Sequence, residues 1–274
     1  MKTWAIVLVV FAVLLIVGYV FATGGMPGRE AAKWLTAQPI AHRGQWAEGD
    51  ARPENSLAAF AEAAQNGYAT ELDVQLSSDG VPVVFHDVDL ERMTGESGKL
   101  SDKTLAQLQE LRLLGGNETI PTLSEVFEVV DGRVPIFIEI KNPGSVGELE
   151  DTVARETAAY KGDAAIISFN PFSLARVAST APDIPRGQVS SALKGEDLAW
   201  YEVFLLRYLL MNWKSRPDFI DYDIKDLPST TTRIQQWRGR PLIGWTAEGT
   251  AQRKAAEEFC DAVTCNPKAL PTDK

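Results

Sequence analysis

Histidine and cysteine are both scarce in this 274-residue chain, which holds two of each. Two cysteines, Cys260 and Cys265, exclude a multi-disulfide framework, and their spacing matches no zinc motif. Bridging them would need a sharp turn. Cations are also in deficit: 27 Lys and Arg against 37 Asp and Glu give a formal net charge of −10. That excludes a broad polyanion-binding face, and with it a nucleic-acid partner, because such binding rests on clustered Lys and Arg. A small anion can still bind at a local positive site, above all one supplied with a metal cation. Low-complexity runs and fixed-period repeats are missing as well. With 45% hydrophobic and 23% charged residues, a globular domain is expected in place of disorder or a solenoid.

The chain starts with an apolar run of 19 residues, Trp4 to Ala22, about the length that crosses a bilayer as a helix. Signal-peptide cores are shorter, so residues 1–25 are read as an uncleaved transmembrane anchor in preference to a cleaved signal, although Val20-Phe21-Ala22 resembles a cleavage site. Lys2 precedes the run while Arg29 and Lys33 follow it, a small bias toward a cytoplasmic N-terminus and an extracytoplasmic domain. Residues 26–38 then form a linker.

From residue 39 to 274, short β-branched runs alternate with helical patterns, as in parallel strands joined by helices. Strands are predicted at Pro39–Arg43, Ala69–Leu76, Pro135–Lys141, Ala164–Ser168, Pro185–Val189, Asp218–Tyr222, Pro241–Thr246 and Asp261–Cys265, eight in all. Helices are predicted at Glu54–Asn66, Leu123–Val130, Ser173–Ser179 and Thr250–Phe259. The economical architecture is an α/β fold, a (β/α)8 TIM barrel preceded by one N-terminal transmembrane helix. Ser77-Ser78-Asp79-Gly80 is too short for a parallel crossover, so Val81 to His86 must fold back as a hairpin. Pairing Leu76 with Val81 would set Glu71 opposite His86. Residues 88–120 are read as a small rim insertion, with Ser101 to Thr104 starting a helix. Trp200 to Trp213, rich in aromatics and Leu, is expected to be a barrel helix packed on the core, with a membrane-docking face as the alternative.

Both histidines end strand-like runs inside polar clusters, Ile40-Ala41-His42-Arg43-Gly44 and Val83-Val84-Phe85-His86-Asp87. Imidazole titrates near neutrality, so a pair of them beside carboxylates can divide proton acceptance and donation. Strand alternation puts Glu71 with Asp73, and Glu139 with Lys141, on shared faces. Charges in runs as apolar as Ile136-Phe137-Ile138-Glu139-Ile140-Lys141 must be paired or bound to a metal. Salt bridges alone would satisfy them; three carboxylates at strand ends also offer the oxygen ligands that Mg²⁺ or Ca²⁺ prefers.

His42-Arg43-Gly44, Pro53-Glu54-Asn55-Ser56, Glu71-Leu72-Asp73-Val74, Asp79-Gly80, His86-Asp87 and Glu139-Ile140-Lys141, in this order, resemble the glycerophosphodiester phosphodiesterases, with weaker echoes at Ser168-Phe169 and Trp245-Thr246. The resemblance implies a barrel that hydrolyses small glycerophosphodiesters to sn-glycerol 3-phosphate and an alcohol with one divalent cation, Mg²⁺ or Ca²⁺. It further implies His42 and His86 as the acid–base pair, Glu71, Asp73 and Glu139 as metal ligands, and Arg43, Glu54, Asn55 and Lys141 as substrate-binding residues. Thr264-Cys265-Asn266-Pro267 departs from the family's usual Thr-Asp-x-Pro, which bears on rim structure or substrate fit. Ser56 replaces the commoner Thr.

Two alternatives stay open at this stage. One is the same chemistry on membrane lysophospholipids, a lysophospholipase D activity. The other is a non-catalytic membrane protein that binds phosphorylated ligands in the barrel.

Overall fold

The computed structural model describes residues 2–271 except Met26, Arg29, Asp50 and Pro143; the side chains of Lys2, Thr3 and Ala5 also fall outside the described set. The charge bias read from Lys2 and Arg29 therefore lies outside the described residues. Among the described residues nine strands run β1 (Ile40–Ala41), β2 (Ala69–Leu76), β3 (Pro82–Val84), β4 (Ile136–Ile140), β5 (Ala164–Ser168), β6 (Arg186–Ser190), β7 (Phe219–Asp223), β8 (Leu242–Ala247) and β9 (Ala262–Cys265). The helices are α1 (Lys2–Ala22), α2 (Leu57–Gln65), α3 (Glu91–Thr94), α4 (Leu105–Glu110), α5 (Leu123–Val130), α6 (Glu148–Ala159), α7 (Pro171–Thr180), α8 (Trp200–Arg207), α9 (Asn212–Ser215), α10 (Thr230–Trp237) and α11 (Thr250–Ala256).

All strands but β3 pair in parallel, and β1 bonds to both β2 and β9, which closes an eight-stranded barrel. The eight predicted strands all form. Their runs are apolar because a parallel strand is covered on both sides. Inside, Ile40, Ala69, Phe137, Ala165, Ile167, Val189, Phe219 and Ile243 pack as a floor, with Trp34 set edge-on to Phe137 from below. Outside, Leu72, Val74, Ile136, Ile138 and Ile166 meet α2, α5, α6 and α7 through Phe60, Val126, Val153 and Leu174. Polar side chains that point inward above the floor have only the mouth of the barrel to face.

The hairpin forms, but its register differs from the prediction. Leu76 pairs with Pro82 and Val74 with Val84, because Val81 belongs to the turn, where its carbonyl accepts from Ser77 N at 3.0 Å. The one-residue shift removes the expected pairing of Glu71 with His86, and His86 lies beyond the ladder. The rim insertion builds its own small core, Leu90, Met93, Leu100, Leu108, Leu113 and Ile120, on Val83 and Phe85.

The Trp200–Trp213 stretch does not pack throughout as a barrel helix. None of α8 is buried, while Leu209 and Asn212 just beyond it are. The Leu206 carbonyl accepts from Ser190 Oγ at 2.9 Å and the Arg207 carbonyl from Tyr222 Oη at 3.0 Å, so α8 is mounted on the rim and does not cover the strands.

α1 stands off the barrel with its Val, Leu, Ile and Phe side chains exposed as far as Val17. Among the described residues no helix is long and apolar enough to cross a membrane. The expectation of a spanning helix is thus unsupported. Its C-terminal end is gripped: Arg238 Nη1 donates to Thr23 Oγ1 at 2.6 Å, and Arg240 donates to the Gly24 and Gly25 carbonyls at 3.0 Å. Gly24 has φ +85, and a Cβ there would come within 2.9 Å of the Asn212 carbonyl oxygen, so the turn needs glycine.

Candidate active site

Parallel barrels expose their chemistry at the C-terminal ends of the strands, and every sequence-derived site residue lies there. Glu71 and Asp73 come from β2 and Glu139 from β4, in register through the pairs Glu71↔Phe137 and Asp73↔Glu139. One carboxylate oxygen from each lies within 4.8 Å of the other two, and all three residues are buried.

Cations and amides hold this cluster. Lys141 Nζ lies 2.9 Å from Glu139 Oε1 and 3.4 Å from Asp73 Oδ1. Arg43 N donates to Glu71 Oε2 at 3.0 Å, Arg43 Nη1 to Glu54 Oε1 at 2.7 Å, and Asn55 Nδ2 to Asp73 Oδ2 at 2.9 Å. Arg43 and Asn55 both have positive φ, 58 and 57, and Asn55 N bonds to the Arg43 carbonyl at 3.0 Å. Such backbone in non-glycine residues stores strain, and here it turns both side chains into the mouth. Gly44 follows at φ +80, where a Cβ would meet the α2 backbone at Ala59 at 2.9 Å. Ser56 accepts from Ala59 N and caps α2, so the helix starts at Leu57 and leaves Glu54 and Asn55 in the loop above the pocket.

The two histidines enter from different sides. His42 Nδ1 bonds to Asn266 Oδ1 at 2.8 Å, and its Nε2 lies 3.9 Å from Glu71 Oε2. Since the amide oxygen only accepts, Nδ1 carries the hydrogen and Nε2 is left with a lone pair. Burial, then the neighbouring Arg43 charge, pushes the His42 pKa down to about 4, so the ring is neutral at neutral pH. His86 Nδ1 bonds to Asp87 Oδ1 at 2.7 Å, and Arg92 from the rim insertion links Asp87 to Glu54.

Electrostatically the cluster is unbalanced. Burial, then the negative charges of Asp73 and Glu139, pushes the Glu71 carboxyl well above its ordinary range; burial likewise pushes Glu139 up. Burial acts on Asp73 in the same direction, but Lys141, Arg43, His86 and the Asn55 amide together hold it well below. Three buried carboxylates with two cations carry an excess of negative charge, and hard oxygen donors in this arrangement fit one Mg²⁺ or Ca²⁺. Glu71, Asp73 and Glu139 could hold it.

Sequence reasoning missed several groups at the mouth. Asn266 orients His42. Asp221, on β7, is buried and lines the same cavity as His42, His86, Glu139 and Lys141; its signal, a carboxylate inside Phe219-Ile220-Asp221-Tyr222, was the one that exposed Glu139. The substituted Cys265 lies away from the rim, buried with Ala41, Ala63 and Val263, so that departure affects packing. Both cysteines are free thiols.

A closed parallel barrel with a carboxylate cluster, two imidazoles and two fixed cations at its mouth defines a barrel whose polar site is suited to an anionic ligand. Within it, residues 42–253 match the glycerophosphoryl diester phosphodiesterase family, and the chain belongs to that family. Human glycerophosphodiester phosphodiesterase 1 is 29% identical over 238 residues, 76% of this chain and 70% of that protein. The bovine protein of that name is 38% identical over 135 residues, 44% of this chain and 40% of its own length, so the chain spans well under two thirds of that relative. Among solved structures, a phosphodiesterase of Oleispira antarctica in complex with the product sn-glycerol-3-phosphate has a TM-score of 0.71 at 29% identity, covering 85% of this chain and 94% of that one. A glycerophosphodiester phosphodiesterase of Thermotoga maritima has a TM-score of 0.66 at 29% identity, covering 84% and 94%.

Proposed function

We propose that this protein is a metal-dependent phosphoric diester hydrolase that cleaves glycerophosphodiesters to sn-glycerol 3-phosphate and an alcohol. The observation that carries the reading is the meeting of His42, His86, Glu71 and Glu139 in one pocket with Arg43 and Lys141, and of Asp73 with the two glutamates. A bound divalent cation at the three carboxylates would supply Lewis-acid stabilisation of charge on phosphate oxygens. Arg43 and Lys141 bind and orient the phosphate, whose charge otherwise repels a nucleophile. His42, neutral and with Nε2 free, takes the proton from the substrate's own neighbouring hydroxyl as that oxygen bonds to phosphorus. The bond from phosphorus to the leaving alcohol breaks, and His86 gives that oxygen a proton. Water then opens the cyclic phosphate with the two roles exchanged, so one water is consumed per diester. Asp87 and Asn266 hold the two rings by their Nδ1 atoms. The test is release of glycerol 3-phosphate from glycerophosphocholine by the purified full chain in detergent. Loss of release in EDTA, recovery with Mg²⁺ or Ca²⁺, and a fall of roughly 10²-fold or more in His42→Ala support it. Unchanged turnover in His42→Ala removes His42 from the mechanism.

A second reading is the same chemistry on lysophospholipids. What favours it is α8 on the rim, where Trp200 is 80% and Tyr201 52% exposed, the amphipathic aromatics that favour a lipid interface. Release of choline from lysophosphatidylcholine in vesicles, compared with glycerophosphocholine, decides between the two.

The apolar α1, of 21 residues, supports attachment to a membrane, and we place the barrel on the extracytoplasmic side. Phe21 stacks on Trp213 at 6.0 Å, so the gripped end of α1 continues into the surface that leads to α8. Protease accessibility of the barrel in intact and lysed cells tests the side.

A further inference from the structure

The chain is acidic overall, yet the end of the barrel where α1 meets it carries a positive cavity. About 390 Å³ in volume, it is lined by Arg186, Arg216 and Arg240, with Phe21 and Trp213 beside them and Asp218 as the one carboxylate among the described lining residues. Arg186 opens β6, and Asp218 and Arg240 just precede β7 and β8, so the cavity lies at the N-terminal ends of the strands, away from the catalytic groups. Asp218 is already committed: its Oδ2 accepts from Arg186 N at 2.8 Å and lies 3.9 Å from Arg186 Nη2. Arg240 is fixed by neutral acceptors, the carbonyls of Pro217, Gly24 and Gly25 and the Gln235 side-chain oxygen. Burial, then the neighbouring Arg238 charge, pulls its pKa down to about 10, as expected of a cation with too little negative charge around it.

Arg216 is the group left to a ligand. Its exposed guanidinium makes no ion pair or hydrogen bond among the described residues. It caps α9 with φ +44, in the left-handed region where glycine or asparagine is least strained, so backbone geometry alone does not ask for arginine. Lys214 lies 5.9 Å from the Trp213 ring and 5.8 Å from the Phe172 ring, with no carboxylate partner among the described residues. Trp213 stacks on Phe21 at the end of α1, and Trp237, 84% exposed, adjoins the Arg238 that grips Thr23. Indole rings interleaved with guanidinium and ammonium groups suit the headgroup level of a bilayer, where tryptophan is enriched and basic side chains meet anionic lipid. Glu30, Asp163 and Asp183 line the neighbouring groove past Pro182, so the positive surface is local, which suits one headgroup and disfavours a polyanion.

We propose that the cavity at the end of α1 holds the phosphate of one anionic membrane lipid, with Arg216 as its direct ligand and Arg186 and Arg240 supplying a fixed positive field. Arginine suits this role because its planar fork bonds two phosphate oxygens at once and stays charged at any physiological pH. Lipid, in preference to free phosphate, rests on the reading of α1 as membrane-attached, which sets Phe21 to Gly25 at headgroup level. The barrel is then held to the bilayer on its α9 and α10 flank, by a site separate from the catalytic mouth.

The test is native mass spectrometry of the full chain released from nonionic-detergent micelles that contain phosphatidylglycerol or phosphatidylcholine, without added metal. The wild type is expected to retain about one phosphatidylglycerol and to prefer it to phosphatidylcholine by roughly fivefold or more. Arg216→Asn suits the left-handed backbone and should fold as well as the wild type. It is expected to lose the preference while its turnover of glycerophosphocholine, assayed with Mg²⁺, stays within about twofold. No preference in the wild type, or the same preference in Arg216→Asn, overturns the proposal. Loss of the lipid in Lys141→Ala but not in Arg216→Asn would put it at the catalytic mouth and overturns the proposal too. Displacement by inorganic phosphate at the lipid's own concentration would make the ligand a free anion and overturn the lipid assignment. Sedimentation with phosphatidylcholine vesicles tests α1 separately: a chain that stays in solution there, yet keeps phosphatidylglycerol through Arg216, leaves the site standing and removes the membrane reading.

Discussion

The two walls of the barrel mouth are built on opposite principles. On the β1–β4 wall almost every charge is met: Lys141 sits between Asp73 and Glu139, Arg43 reaches Glu54 and Asp73, and Arg92 links Glu54 to Asp87. On the β5–β8 wall the buried Asp221 has no hydrogen bond at Oδ1 among the described residues. The paired wall is preorganised, so its charges are fixed before substrate arrives, the condition under which electrostatic stabilisation is effective. The other wall has no such fixed partner for Asp221 Oδ1 among the described residues. Three buried carboxylates against Arg43 and Lys141 make the first wall the one suited to a metal ion.

The largest effects should come from the paired wall. His42→Ala is expected to lower turnover of glycerophosphocholine by roughly 10²-fold or more with little change in KM, measured by glycerol 3-phosphate release. Next is Glu71→Gln, which removes one member of a mutually repelling trio. In EDTA its melting temperature should rise above that of the wild type, because burial and the neighbouring carboxylates already disfavour the Glu71 charge. With Mg²⁺ or Ca²⁺ the order should reverse, since the variant loses a ligand. A variant less stable than the wild type in EDTA would mean that the three carboxylates are balanced without a cation.

A smaller effect, of a fewfold, is expected from Arg92→Ala, which leaves both histidines in place and loosens only the Asp87 and Glu54 carboxylates. It should alter the pH profile of kcat more than KM. The pH dependence of stability gives a further check. His42 has a native pKa of about 4 against 6.5 when unperturbed, so between those values the unfolded chain binds more protons. The contribution of the neutral ring is complete above pH 6.5 and fades as pH falls toward 4. His42→Gln should flatten the loss of stability in that window. The smallest effect on chemistry should come from Trp200→Ser on the exposed rim helix: turnover of a water-soluble diester is expected to stay within about twofold, with vesicle binding measured in parallel by co-sedimentation.

Much of this was legible in the chain. Parallel strands buried on both sides leave apolar runs such as Ala164–Ser168, which appear in the structure with the predicted bounds. Charges set in such runs are conspicuous, and Glu71, Asp73, Glu139 and Lys141 all reach the pocket or its cations. The β2–β3 register was less legible, because an Asp-Gly pair marks a turn without fixing its length, and the hydroxyl of Ser77 closes a longer one by accepting from Val81 N. The exposure of α8 was hidden for another reason. An aromatic-rich stretch has the same composition whether it packs on a core or stands on a rim, and only the tertiary placement of Ser190 and Tyr222 decides. Asn266 gave no signal, being a common loop residue whose role depends on the His42 ring it meets across the β1–β9 closure.

The most direct test of the central claim, that two imidazoles and three carboxylates act around one divalent cation, is hydrolysis of glycerophosphocholine by the metal-stripped full chain, before and after Mg²⁺ or Ca²⁺ is restored. The account predicts no release of glycerol 3-phosphate from the stripped protein and recovery on addition of about one cation per chain. Full turnover in excess EDTA would contradict it.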